Sequence, residues 1–312
     1  MIFKPFIFNI FMSKVIVTGG AGFIGSHLTD ALVLLDYEVH VVDTFINGTK
    51  EYLNPKVKYH NVDIRDLESL KKIFFGAEFI FHLAALPRVQ YSIQNPVLTN
   101  EVNVTGTQNV LIAAKDSGVK KVIYSASSSA YGNQDKMPLT ESMVPDPISP
   151  YALQKFIGEK LCVLFYKVYS LPCVSLRYFN VYGPRMDPDG SYPLAIGKFL
   201  KQRLRGEAMT ITGDGEQTRD FTHVRDVVRA NLLAAQINNV GKGEIINIGA
   251  GRNVSINYIA KLISGPITYI STRLEPKNTL ADNSLAESLL GWKPAIKLED
   301  GINELKSLWG II

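Results

Sequence analysis

The chain has 312 residues, 46% of them hydrophobic and 20% charged, with 33 basic against 29 acidic side chains and a formal net charge of +4. That apolar content can bury a large core and excludes a disordered chain, and the small basic excess contains no long basic run of the kind nucleic acid or anionic lipid would need. Neither cysteine (Cys162, Cys173) and none of the five histidines (His27, His40, His60, His82, His223) shows metal-ligand spacing, so no metal is expected and both thiols read as buried and reduced, as in a cytoplasmic protein.

Residues 1–13 are apolar with one early lysine, yet the run is too short and interrupted to span a bilayer and no small-residue cleavage site follows. They read as an extension, with Met12 offering an alternative start. From Lys14 onward, short β-branched runs alternate with helix-length segments: 14–18, 38–42, 57–62, 78–84 and 121–125 as strands. Near-continuous apolar strands of this kind predict a parallel sheet covered on both faces. One long helix is expected from Asn95 to a stop at Gly118, another from about Pro150 to Ser170, and LPCVSLRYF gives a sixth strand.

Beyond Tyr182 the rhythm changes. A proline- and glycine-rich stretch, PRMDPDGSYP, precedes a helix near 194–205, a short strand MTIT and a late return to sheet at 244–248. The expected fold class is α/β, a doubly wound parallel sheet of the Rossmann type with a smaller, discontinuous α/β lobe. The sheet domain is assigned to 14–181 and about 221–251, and the lobe to 182–220 and 252–312.

VIVTGGAGFIGSHL places Gly19, Gly22 and Gly25 between the first strand and its helix. Gly19 permits the tight turn, Gly22 lets backbone approach a pyrophosphate at the positive helix terminus, and Gly25 lets helix and strand pack closely. Asp43 ends the next strand, 18 residues beyond Gly25, where a carboxylate accepts bonds from both ribose hydroxyls and would repel a 2′-phosphate, favouring NAD over NADP. Asp63, after the third strand, is placed to reach the adenine edge.

YALQK puts Tyr151 and Lys155 at i and i+4 on one helical face. A phenol is a poor base at neutral pH, but a neighbouring ammonium stabilises its phenolate. Such a pair can take a proton from a sugar hydroxyl while hydride leaves the same carbon. The run SASSSAYG lies where the fifth strand ends, on the edge at which open α/β sheets bind ligands.

Taken together, TGGAGFIG, Asp43, Asp63, FHLAA, NVTGT, SASSSAYG, YALQK, RYFNVYGP, GDGEQTRDF and LAD near 280 resemble the extended short-chain dehydrogenase/reductases. Within these the chain is most similar to the nucleotide-sugar 4-epimerases of the UDP-N-acetylglucosamine and UDP-glucose branches, from Lys14 to the C-terminus. The resemblance implies a homodimeric epimerase with retained NAD. Catalysis would fall to Ser127, four residues before Tyr131-Gly132, with Tyr151 and Lys155. It also implies cofactor contacts from Phe23, Ile24, Ile64, Ala84, Ala85 and Tyr178, with Leu86 beside them and Asn103 supporting that loop.

For the substrate, the resemblance implies that Asn180 and Arg219 meet a diphosphate, with Arg273 as a second clamp in a turn one residue short of the usual form. An arginine fork suits a dianionic diphosphate. Sugar 4,6-dehydratases and decarboxylating relatives carry carboxylates directly after the catalytic hydroxyl residue, where this chain has Ser128 and Ser129, so epimerisation is implied. Thr279, three residues before Asp282, takes the place where a tyrosine restricts the pocket to glucose and galactose, and a small residue there admits 2-acetamido sugars. Ser92, Ser128 and Ser129 would then meet acetamido and hydroxyl groups.

Overall fold

The structure, a computed structural model, describes residues 12–187, 195–271 and 278–311. The assignment of Arg273 as a clamp, and most of the N-terminal extension and of the proline-rich stretch, lie outside the described residues.

Seven parallel strands form one sheet in the order β3-β2-β1-β4-β5-β6-β9: β1 Lys14–Thr18, β2 Glu38–Val42, β3 Lys58–His60, β4 Phe79–His82, β5 Lys121–Ser127, β6 Cys173–Tyr178 and β9 Lys242–Ile248. Two further strands, β7 Met209–Thr212 and β8 Thr218–Asp220, belong to the lobe that intervenes between β6 and β9. Strand residues alternate between two buried layers. Val15, Val17, Val39 and Val41 pack on one face, while Ile16, Val42, Ile80 and Val122 pack on the other. Both faces being covered is why these strands read as unbroken apolar runs rather than alternating ones.

From β1 the chain builds outward through β2 and β3, then returns to place β4 on the other side of β1. The connections therefore diverge at the carboxyl ends of β1 and β4, leaving the crevice in which doubly wound sheets bind ligands.

Helices α1 Phe23–Leu34, α2 Leu67–Phe74, α3 Val89–Gln94, α4 Pro96–Asn100, α5 Thr107–Asp116 and α6 Pro150–Tyr169 follow in the first half. The single helix expected from Asn95 to Gly118 is helical throughout its middle, but α4 passes into α5 through a π turn, Glu101–Gly106. The extra residue in that turn brings Asn103 and Gly106 inward. A Cβ on Gly106 would lie 2.6 Å from Ile64 Cδ1, so any larger residue there would have to displace the Ile64 side chain. Hydrophobic periodicity alone does not reveal such a bulge, because it shifts the apolar face by a single residue.

The second lobe contains α7 Ala195–Leu204, with α8 Val224–Gln236 returning to the main sheet, and then α9 Ile256–Ile263, α10 Ser284–Leu290 and α11 Leu298–Leu308. Its own core gathers Phe199, Ile211, Ile259 and Ile302. Strand β10 Asn253–Ser255 pairs antiparallel with β8, and β11 Ile267–Ile270 pairs parallel with β7. Of these four short strands only β7 was expected, since three- and four-residue pieces carry too little periodicity to be seen. Among the described residues no helix is long and apolar enough to cross a membrane.

Candidate active site

Gly19 ends β1 with φ +73°, and a Cβ there would sit 2.6 Å from the Ala84 nitrogen. A Cβ on Gly25 would lie 2.1 Å from the Gly19 carbonyl oxygen, whereas at Gly22 it would meet only that oxygen, at 3.3 Å. The first and third glycines are thus demanded by packing, and the second keeps the approach open. Gly22 caps α1 without a side-chain bond, and the first turn holds no acidic residue. The helix terminus therefore presents backbone N–H groups and a partial positive charge to the crevice.

Asp43 folds back on this turn, accepting bonds from the Ala21 N–H at 3.0 Å and the Phe45 N–H at 2.8 Å. Burial pushes its carboxyl upward, while those backbone donors oppose the shift. Asp63 also faces the crevice, but its carboxylate is occupied by Arg65, with contacts of 3.0 and 2.7 Å, and is held below its usual range chiefly by that side chain.

The opposite wall is the loop after β4. Asn103 accepts from the Leu86 N–H at 2.7 Å, and donates to the Leu86 carbonyl at 3.1 Å and to Gln154 Oε1 at 2.8 Å. Gln154 in turn donates to Thr99 Oγ1 at 3.0 Å. The π turn thus brackets the loop and ties it to α6. Asn103 lies behind the loop rather than on the cavity wall and holds it from there.

Beneath the loop, His82 Nδ1 meets Thr18 Oγ1 at 2.7 Å and Nε2 meets Thr107 Oγ1 at 3.0 Å. Thr107 gives its proton to the Asn103 carbonyl, at 2.6 Å, and so accepts from His82; this assigns the imidazole proton to Nε2. Burial holds the ring neutral, with its pKa pushed down to about 3. His82 is a packed connector between β1 and α5.

The catalytic face is built where β5 ends beside α6. Ser149 caps α6 by accepting from the Ala152 N–H at 3.2 Å, and Pro150 follows at the first helical position, which fixes Tyr151 in the opening turn. Ser92 accepts from the Tyr151 N–H at 3.0 Å and donates to the Val89 carbonyl at 2.6 Å. It is fully buried and does not line the cavity, which corrects the expectation that it meets the sugar. Its hydroxyl is consumed in holding α6.

The Ser127 hydroxyl shares the cavity wall with Tyr151 and favours the charged form of its phenol. Ser127 Oγ accepts from the Ser129 hydroxyl at 2.8 Å and from the Ser129 N–H at 3.2 Å. Lys155 lies one turn beyond Tyr151, donates from Nζ to the Ser125 carbonyl at 2.7 Å and rests over the Tyr124 ring at 5.0 Å. Burial brings its pKa down to about 8.

The phenol of Tyr151 is pushed up to about 12 by burial, which Ser127 only partly offsets. The expected lowering by Lys155 is therefore not realised in this arrangement: the ammonium is directed at the Ser125 carbonyl and desolvation dominates.

The second lobe supplies the far wall. Asn180, at φ 29°, donates to the Asp220 carbonyl at 2.9 Å and to Thr279 Oγ1 at 3.4 Å, while the same Thr279 oxygen accepts from the Asp220 N–H at 3.2 Å. Arg219 donates to the Thr218 carbonyl at 2.9 Å and faces the cavity beside them. Tyr178 donates to Asn231 Oδ1 at 2.9 Å.

One cavity of about 1280 Å³ unites these walls. It exceeds the usual 300–1,000 Å³ of a single small-ligand pocket. Gly19, Gly22, Phe23, Ile24, Gly25, Asp43, Asp63, Ile64, Ala84 and Ala85 line one end, and Ser127, Ser128, Ser129, Tyr151, Lys155 and Tyr178 its middle; Asn180, just beyond β6, and Arg219 and Thr279, from the other lobe, face it from the far side. The glycine cradle, the open helix terminus and the Asp43 acceptor fit a dinucleotide. The remaining volume lies on the far side of the serine turn.

Sequence reasoning missed Gln154 and Tyr124, whose polar atoms hold α6 in place, and the ion pair between Arg88 and Asp187 at 2.6 Å on the cavity wall. Gln154 lay within a quoted motif, whereas the others carry no pattern that sequence spacing would disclose.

A profile of the NAD dependent epimerase/dehydratase family matches residues 15–249. The chain is similar to the crystal structure of a UDP-glucose 4-epimerase from Thermotoga maritima with UDP-glucose: 38% identity, TM-score 0.89, covering 95% of this chain and 99% of that one. It is similar to the UDP-N-acetylglucosamine 4-epimerase from Methanobrevibacter ruminantium M1 in complex with UDP-N-acetylmuramic acid, at 37% identity, TM-score 0.89 and the same coverages. A UDP-glucuronate 4-epimerase of Thermodesulfobacterium geofontis is 35% identical over 93% of this chain and 94% of its own length.

Proposed function

The chain belongs to the NAD dependent epimerase/dehydratase family as an NAD-dependent UDP-sugar 4-epimerase, and from that premise we propose that it interconverts UDP-N-acetylglucosamine with UDP-N-acetylgalactosamine, and UDP-glucose with UDP-galactose, through a 4-keto sugar. The observation that carries this reading is the serine turn. Ser127 shares the cavity wall with Tyr151, and the next two residues are Ser128 and Ser129, which cannot act as the carboxylate pair an elimination of water would require.

In this proposal Tyr151 takes the proton from the C4 hydroxyl and later returns it, and Ser127 holds the C4 oxygen. Lys155 sits one helical turn away, where its positive charge favours the phenolate once substrate displaces water from the cavity. Bound NAD supplies the hydride acceptor and hydride donor of the two half-reactions. The cradle of Gly19, Gly22 and Gly25, with Phe23 and Ile24, would hold its pyrophosphate. Asp43 would hold its adenosine ribose, Asp63 and Ile64 its adenine, and Ala84, Ala85 and Tyr178 would flank it.

Asn180 and Arg219 are assigned to the substrate diphosphate, Ser128 and Ser129 to the sugar, and Thr279 to the room beside its C2 substituent. Support for Thr279 comes from its short side chain on the cavity wall, bonded to Asn180 and Asp220. The lobe boundaries given above are proposed on the separation of the cores on the two sheet faces from that of the second lobe, with Ala286, Leu290 and Trp292 as exceptions that pack in the sheet core. A homodimer is proposed across α4 and α6, where Val97, Leu98, Leu153, Leu164 and Val168 leave apolar surface exposed. The buried free thiols of Cys162 and Cys173 support a cytoplasmic setting.

Incubation of the purified protein with UDP-N-acetylglucosamine, UDP-glucose and UDP-glucuronate separately, without added cofactor, tests the reading by NMR of the anomeric signals. Conversion of the first two is expected. No conversion of either, even with NAD supplied, would overturn it, and conversion of the glucuronate alone would reassign the sugar.

A further inference from the structure

Tyr151, Lys155 and Glu159 follow at i, i+4 and i+8, so they share one buried face of α6. Glu159 and its partner Arg177 on β6 are 0% and 1% exposed. The pair is bidentate, with Arg177 Nε to Oε1 and NH2 to Oε2 both at 2.7 Å. The guanidinium also lies 4.5 Å from the centre of the Tyr131 ring, and the Tyr131 hydroxyl donates to Asn247 Oδ1 at 2.7 Å. Tyr131 closes the short turn that begins at Ser128, directly after Ser127.

A buried ion pair is weak evidence for stability, because desolvation of two charges offsets their attraction and a well-packed apolar pair often does as well. Its placement is more informative. Glu159 follows Lys155 by one turn of α6, in a part of the fold where burial disfavours any charge. We propose that Glu159, clamped by Arg177, is a positioning residue that keeps the Lys155 ammonium charged under Tyr151, while Arg177 joins the same unit to the serine turn through Tyr131. The role rests on the epimerase reading given above, but its electrostatic part is measurable without turnover.

The titratable and charged groups around Lys155 are Tyr151, Glu159 and Cys162 on α6, Tyr124 on β5, His82 on β4, and Tyr178 and Arg177 on β6. His82 is held neutral by burial, and the tyrosines are pushed toward their neutral phenols. Glu159 is the anion that opposes the desolvation of Lys155. Arg177 in turn opposes the upward push of burial on the Glu159 carboxyl.

The test labels the full-length protein with [ε-13C]lysine, assigns the Lys155 resonance by its absence from Lys155→Met, and titrates it in wild type, Glu159→Gln and the double variant Glu159→Gln/Arg177→Met. The midpoint is expected to fall by about one pH unit in Glu159→Gln. The alkaline limb of the kcat profile should move down with it. In the double variant, thermal stability is expected to recover because no unpaired guanidinium remains, while the midpoint stays low.

An unchanged midpoint in both variants, or a midpoint restored together with stability in the double variant, would overturn the proposal. If Glu159→Gln does not fold, the double variant carries the measurement. A wild type without epimerase activity would count against the reaction assignment, and the titration would still decide whether Glu159 sets the charge of Lys155.

Discussion

The Ser129 hydroxyl donates to Ser127 Oγ across 2.8 Å, so the proton of Ser127 is free to be given onward, on the cavity wall it shares with Tyr151. The two hydroxyls form a directed chain, Ser129 to Ser127. The first donor polarises the second, which makes a hydrogen bond given by Ser127 stronger than one from an isolated hydroxyl.

That chain predicts graded losses. Ser129→Ala should lower kcat by about fivefold, the worth of one neutral hydrogen bond, with little change in KM. Ser127→Ala removes the hydroxyl assigned to the C4 oxygen and should cost on the order of 100-fold in kcat. Steady-state kinetics at pH 7 check both. An effect of Ser129→Ala confined to KM would instead assign its hydroxyl to sugar binding.

Lys155 makes stability and activity pull in opposite directions. Its folded pKa of about 8 lies below that of an exposed lysine, so the unfolded chain binds more protons between these values. Stability should therefore rise with pH from about 8 to about 10.5, and the burial cost should be fully present below pH 8. Lys155→Met is expected to stabilise the fold at pH 7 by about 1–3 kcal/mol while abolishing epimerisation. Thermal unfolding at pH 7 and pH 10 measures the effect, and a gain that persists at pH 10 would contradict the linkage.

The glycine cradle allows a contrast. A Cβ on Gly25 would collide with the Gly19 carbonyl, and one on Gly22 would be merely tight. Gly25→Ala should lose bound NAD and destabilise the fold by about 2 kcal/mol or more. Gly22→Ala should remain folded with weakened NAD retention. Absorbance of the purified proteins and their unfolding curves separate the two outcomes.

Thr279→Tyr should suppress conversion of the acetamido sugar before that of UDP-glucose. Because the Thr279 oxygen also accepts from Asp220 and Asn180, Thr279→Ser serves as the control that keeps those bonds. Equal losses on both substrates in Thr279→Tyr, with Thr279→Ser unaffected, would show that the position does not discriminate between them.

Ser92 offers a fourth-side view of the same helix. Replacing it by alanine leaves the Tyr151 N–H without its acceptor in a buried setting, which should cost about 1–3 kcal/mol of stability. The expected kinetic change falls on kcat, since the residue touches α6 and not the cavity.

The sheet was legible because both of its faces are buried, which writes each strand as an apolar run, and the glycine turn because steric exclusion leaves no alternative residue at Gly19 and Gly25. Tyr151, Lys155 and Ser127 were legible through their placement at a strand end and a helix start. What sequence patterns missed shares a physical cause. The π turn, the hydroxyl of Ser92 turned away from the cavity, and the Arg65 grip on Asp63 depend on side-chain directions set by long-range packing. Local spacing records which face a residue occupies, but not which neighbour claims its polar atoms.

Strand β9 completes the sheet against β6 only after the whole intervening stretch from Phe179 to Gly241 has been made. During synthesis the β6 edge must wait unpaired while the residues that build much of the second lobe emerge. A chain halted before Lys242 would expose a row of unsatisfied backbone groups to other nascent chains. The cavity is therefore finished late in translation. Shortened forms ending near residue 181 are expected to aggregate rather than survive as free nucleotide-binding fragments.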